Sequence, residues 1–125
     1  MDVLVVEDDA AEISNLKQRI REWGHRVENA DSCKDALEKV RQKRFDLILL
    51  DIFLPDGKGH HLIPQFKEQW PKVGIITMTG YNSRELEMSV REQGILYYMI
   101  KPFETKWLQS LLDHISQKYG QRKGT

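Results

Sequence analysis

The chain has 125 residues, room for one compact core but not for that core plus a second folded domain, and its 19 Lys+Arg balance 19 Asp+Glu. Zero net charge excludes a global pull toward nucleic acid or anionic membrane, and the single cysteine, Cys33, excludes an internal disulfide or a multi-cysteine metal site, leaving a half-buried free thiol as the expectation. No apolar run approaches the ~20 residues needed to cross a bilayer and no basic-then-apolar leader opens the sequence, so a soluble cytoplasmic protein is expected.

In chain order, residues 3–6 are apolar throughout, the pattern of a strand covered on both faces. Ile13, Leu16, Ile20 and Trp23 then recur at three- and four-residue spacing and predict a helix stopped by Gly24. Residues 26–30 are mixed and read as an edge strand. Asp31-Ser32 offers an N-cap to a second helix on Ala36, Leu37 and Val40, with Lys39, Arg41, Lys43 and Arg44 as its solvated basic end.

Residues 47–50 form another wholly apolar strand. Leu62, Ile63, Phe66 and Trp70 mark a third helix closed by Pro71, with Pro64 in its first turn or two, where proline is tolerated. Residues 73–78 are the third apolar strand. Ser83 opens a fourth helix on Leu86 and Val90, followed by Gly94. Residues 97–100 make a second edge-like strand, and a last helix over about 104–118 carries Trp107, Leu108, Leu111, Leu112 and Ile115. Residues 1–120 are expected to be one domain and 121–125 a frayed polar tail.

Strict alternation of five strands with five helices predicts an α/β fold with a doubly wound parallel sheet, whose functional crevice lies at the carboxyl ends of its strands. Those ends are chemically uneven. The first finishes in Glu7-Asp8-Asp9, the third in Asp51, the fourth in Thr79-Gly80 and the fifth in Lys101-Pro102-Phe103. Acids brought side by side need a proton or a hard cation, and magnesium suits carboxylate oxygens while keeping water positions for a phosphate. Taken alone, Glu7-Asp8-Asp9 reads equally well as helix-capping acids. Together with a hydroxyl and a lysine at the same edge, the acids match phosphoryl transfer onto a carboxylate. The Gly-rich loop that a nucleotide site needs after its first strand is missing.

On the segments Val5-Val6-Glu7-Asp8, Leu49 to Pro55 with Gly59, Met78-Thr79-Gly80 and Tyr98 to Phe103, in this order and spacing, the chain resembles the receiver domain of bacterial response regulators. The resemblance covers nearly the whole chain and implies a flavodoxin-like sheet of order 2-1-3-4-5. It also implies that Asp51 is the phosphoacceptor. Asp8 and Asp51 would hold Mg2+ (or Mn2+) directly, Glu7 through water, and the Phe53 backbone carbonyl would be a further ligand. Thr79 and Lys101 would each meet a phosphoryl oxygen, a cis bond would precede Pro102, and Tyr98 would follow Thr79 when the switch turns. Ordinary core is the alternative for Tyr98. Three consecutive acids leave Asp8-Asp9 open as the pair, although the gap to Gly24 favours Glu7-Asp8.

The partners implied are a histidine kinase or phosphotransfer protein and a downstream effector or linked output domain, read out through the fourth helix, fifth strand and fifth helix. Neither nucleic acid nor membrane is expected to bind directly, and a phosphorylation-dependent homodimer fits the family. Phe53 and Tyr81, bulky at positions flanking the path of water to the acyl phosphate, imply slow self-dephosphorylation. Turnover as an enzyme is not expected: a haloacid dehalogenase type phosphatase needs a second Asp where Phe53 stands. A flavin module is disfavoured by the acids. A receiver that has lost its chemistry is disfavoured by the intact set. The pair His60-His61 reads as a solvated surface rather than a metal site.

Overall fold

The three runs that are apolar on both sides become the middle of the sheet. In a computed structural model that describes residues 1–123, β1 (Asp2–Val6), β2 (Arg26–Ala30), β3 (Leu47–Asp51), β4 (Gly74–Thr79) and β5 (Tyr97–Ile100) run parallel in the order β2-β1-β3-β4-β5. Every residue of β3 and β4 is buried, whereas β2 and β5, the edges, are mixed. This is the flavodoxin-like order.

Successive side chains of a strand face opposite ways, so each strand feeds two cores. On one face Val3, Val5, Leu49, Ile76 and Met78 meet Leu16 and Ile20 of α1 (Ala10–Glu22) and Leu108, Leu112 and Ile115 of α5 (Thr105–Lys123). On the other, Leu4, Val6, Ile48, Leu50 and Ile75 meet Ala36 and Val40 of α2 (Cys33–Gln42) and Ile63 and Phe66 of α3 (Ile63–Gln69). Each such side chain larger than that of Ala36 contributes about 1.5–3 kcal/mol by leaving water. The fourth helix, α4 (Arg84–Arg91), differs: Val90 is its only fully buried residue.

Local punctuation follows the sequence closely. Ser32 and Ser83 cap α2 and α4 by accepting the N–H groups of Asp35 and Leu86. Gly24 and Gly94 follow α1 and α4 with φ of 92° and 80°, a conformation costly for other residues. Pro64 is the second residue of α3, where its missing N–H has no intrahelical partner to lose.

Several expectations are corrected. Between β3 and α3 lies an unforeseen antiparallel ribbon, Phe53–Leu54 against Gly57–Lys58, and then a tight helical turn over Gly59–Leu62. Trp107 is 63% exposed rather than core, because Leu108, Leu112 and Ile115 form the line facing the sheet and Trp107 stands about 100° off it. Helix α5 continues to Lys123, past the expected end near 118. The last two residues of the expected tail, 124 and 125, lie outside the described residues.

Candidate phosphoacceptor site

Parallel register brings the strand ends to one edge. Val6 lies beside Leu50 and Asp51 beside Met78, so Glu7, Asp51 and Thr79 emerge along three adjacent strands. Glu7 and Asp51 are buried and Asp8 is exposed. One carboxylate oxygen from each of the three lies within 4.8 Å of the others. Among the described residues no other group of three metal-ligating side chains gathers in this way. A set of three carboxylates, one of them open to solvent, is the donor chemistry that a hard divalent cation takes.

The acid run resolves by division of labour. Asp9 is the N-cap of α1, its Oδ1 accepting the Glu12 N–H at 3.0 Å. Glu7 turns inward, and its Oε1 accepts the N–H groups of Asp8 and Asp9 at 3.1 and 3.2 Å. That leaves Glu7 and Asp8 with Asp51, not Asp8 with Asp9.

Lys101 enters from the end of β5 and is the local cation. Its Nζ lies 2.6 Å from Glu7 Oε2, 2.9 Å from Glu12 Oε2 and 3.4 Å from Asp51 Oδ2. Burial pushes the Glu7 carboxyl up to about 8, against the hydrogen bond from Lys101. Burial works to lower Lys101, but its bonds to Glu7 and Glu12 and the charge of Asp51 raise it overall. Glu7, Asp8, Glu12 and Asp51 thus bring four carboxyl groups to one ammonium, an excess that a proton on Glu7 or a hard cation offsets.

The remaining residues surround this core. The Phe53 N–H faces Asp51 Oδ1 at 3.4 Å. Thr79 is fully buried, and its hydroxyl folds onto its own loop, accepting the Tyr81 N–H at 3.0 Å and donating to the Tyr81 carbonyl at 3.1 Å. The peptide before Pro102 is cis. Tyr98 is half-buried on the outer strand, its hydroxyl donating to Asn82 Oδ1 at 2.8 Å, with the Arg91 guanidinium 5.7 Å from its ring. It thus ties β5 to the loop that leads into α4.

Phe53, two residues after Asp51, and Tyr81, two after Thr79, meet with ring centroids 5.5 Å apart at 76°, an edge-to-face contact. Lys58 Nζ caps the Phe53 ring at 4.0 Å.

Glu12 escaped the sequence reading. The signal was present, since an Asp N-cap followed three residues later by Glu fixes that Glu in the first helical turn at this edge. Its partner, 89 residues away, was not readable.

Other expectations divide. His60 is not solvated: it is buried within the turn after the ribbon, its Nδ1 without a hydrogen bond, and only its neighbour His61 faces solvent. The two rings are 4.5 Å apart. Of the basic end of α2, Lys39 donates to the Asn29 carbonyl and Lys43 pairs with Glu28 at 2.7 Å, so it is partly tied down. Cys33 is the half-buried thiol expected, pushed up to about 11 by burial and by Asp56. No helix among the described residues is long and apolar enough to cross a membrane.

Comparison with known proteins agrees with this fold. The family description "Response regulator receiver domain" matches residues 3–113. The transcriptional regulatory protein ZraR of Klebsiella oxytoca is 38% identical over 112 residues, 90% of this chain and 25% of that protein. The chain thus spans about a quarter of the length of the curated relatives it matches. Among solved structures, a CheY-like response regulator receiver domain protein of Methanospirillum hungatei JF-1 superposes with a TM-score of 0.87 at 29% identity, covering 96% of this chain and 97% of that one. A beryllofluoride-activated NtrC4 receiver domain dimer gives 0.87 at 29% identity, covering 94% and 98%.

Proposed function

The chain belongs to the response regulator receiver family of two-component signalling, and on that footing we propose that it switches by accepting a phosphoryl group on Asp51. The observation that carries this reading is the convergence of Glu7, Asp8 and Asp51 within 4.8 Å, with the Lys101 ammonium 3.4 Å from the acceptor.

In the step proposed, an Asp51 carboxylate oxygen forms a bond to phosphorus as the bond from phosphorus to the donor breaks, and the donor leaves with that electron pair. Asp8, Asp51 and the Phe53 backbone carbonyl would hold Mg2+ or Mn2+, with Glu7 acting through water. When bound, the cation offsets charge on the phosphoryl oxygens. Lys101 stays protonated and pairs with one oxygen, and Thr79 leaves Tyr81 to donate to another.

The product carries about two negative charges and three acceptor oxygens in place of one carboxylate. Movement of Thr79 pulls on the loop that Asn82 shares with Tyr98, and Tyr98 follows inward. The readout is the face of α4, β5 and α5, where Met88, Tyr97, Ile100 and Trp107 are exposed. A histidine kinase or phosphotransfer protein supplies the phosphoryl group in the cytoplasm. An output domain or separate effector reads the state, through protein rather than through direct contact with nucleic acid or membrane. Pairing of two phosphorylated copies is supported by the dimer of the NtrC4 relative. The chain acts as an acceptor that slowly clears itself rather than as a turnover enzyme.

Intact mass after incubation with acetyl phosphate tests the proposal. A magnesium-dependent gain of one phosphoryl group, lost in Asp51→Asn, is expected. No gain in wild type overturns it.

A further inference from the structure

Glu12 stands outside the proposed metal set, yet it makes one of the two shortest contacts to Lys101. The cause is local. In the usual capping box the acid at the third helical position turns back to the N–H of the capping residue. Here that N–H, of Asp9, already bonds to Glu7 Oε1 at 3.2 Å. The Glu12 carboxylate is left to reach forward across the edge of the sheet, 2.9 Å from Lys101 Nζ.

An ammonium has three protons to give. Lys101 offers them to Glu7 at 2.6 Å, Glu12 at 2.9 Å and Asp51 at 3.4 Å, so the intended acceptor has the longest of the three contacts. A phosphoryl group on Asp51 needs one of those protons. Glu7 would be drawn to a bound cation, which leaves Glu12 as the competitor that phosphorylation must displace. The Glu12 side chain is 45% exposed and borders a groove of about 540 Å3 between α1 and α5, so it can swing away into open space.

We propose that Glu12 is a positioning residue, a latch that holds Lys101 toward α1 and slows its engagement with the phosphoryl group on Asp51. This rests on the acceptor reading given above. No covalent chemistry is added, since Lys101 keeps its proton and only exchanges one anionic partner for another.

The test is the rate of phosphoryl uptake from acetyl phosphate at saturating Mg2+, followed by intact mass, in wild type, Glu12→Gln, Glu12→Asp and Asp9→Asn. Glu12→Gln removes the competing charge. Glu12→Asp keeps the charge but withdraws it by one methylene, and Asp9→Asn removes a neighbouring charge that does not touch Lys101 while retaining a capping side chain. Both Glu12 variants are expected to take up phosphate about two- to five-fold faster, the range a partly exposed ion pair supports, with Asp9→Asn changing less than either. Wild-type rates in both Glu12 variants, or equal acceleration in Asp9→Asn and Glu12→Gln, overturn the latch alone. Absence of uptake in wild type overturns the acceptor reading and the latch with it.

Discussion

Gly59 lies so close against Asp51 that a β-carbon built on it would stand 2.1 Å from the Asp51 carbonyl oxygen. The same glycine donates its N–H to the Ile52 carbonyl at 2.6 Å, so the turn after the ribbon is pressed onto the backbone at Asp51. Gly59→Ala must push these segments apart, at a cost of about 1–3 kcal/mol for overpacking a buried site. A thermal melt lower by several degrees and at least ten-fold slower phosphoryl uptake are expected. An alanine variant with wild-type melting and uptake would show that the contact is dispensable.

The edge-to-face pair of Phe53 and Tyr81 joins the segment after Asp51 to the segment after Thr79. Phosphorylated protein freed of donor is expected to lose its phosphoryl group several-fold faster in the Phe53→Ala, Tyr81→Ala double variant, because attacking water then meets no rings. Faster loss from wild type than from the variant would mean that the rings do not exclude water.

The buried imidazoles should each contribute less stability as the pH falls. Burial lowers His25, helped by the N-terminal ammonium, and burial lowers His60, helped by His61 and Lys58. A base whose folded pKa is depressed takes up fewer protons folded than unfolded, so its contribution falls as pH drops below 6.5, the unfolded value, toward the folded one. Glu7, pushed up to about 8, acts in the opposite sense across the same interval. The comparison must therefore be with His60→Leu, which is expected to lose less stability than wild type between pH 7 and pH 5 in urea titrations. Parallel losses would remove His60 from the account.

Helix α4 is tied at its far end by Lys67, whose ammonium donates to the carbonyls of Gln93 and Gly94. Lys67→Met is expected to speed amide exchange at the end of α4 and to cost about 1 kcal/mol, leaving α1 unchanged. In wild type, exchange over residues 79–94 should change on phosphorylation, and no change there would count against α4 as the moving part.

Where the sequence was legible, one physical signal dominated. The three apolar runs could only be central strands, and Ser32, Ser83 and Gly24 punctuate helices by mechanisms that act over a few residues. Asp51, the acids of 7–9, Thr79 and Lys101 could be placed at one edge because a parallel sheet sends every strand end the same way. The ribbon at 53–58 was hidden because arms of two residues are too short to carry a period. The burial of His60, the exposure of Trp107 and the reach of Glu12 to Lys101 depend on which neighbours arrive from distant segments, and no local pattern encodes that. In the run of three acids, the gap to Gly24 favoured Glu7-Asp8, and the cap geometry of α1 accounts for Asp9.

With a single side chain, Val90, sunk in the core, α4 carries an outer surface almost free of structural duty. Substitutions there can accumulate with little effect on folding, whereas the same drift on α2 or α3 would open cavities. A lineage of such domains can thus rewrite whom it speaks to while keeping one chemistry intact, because recognition and folding are written on different faces.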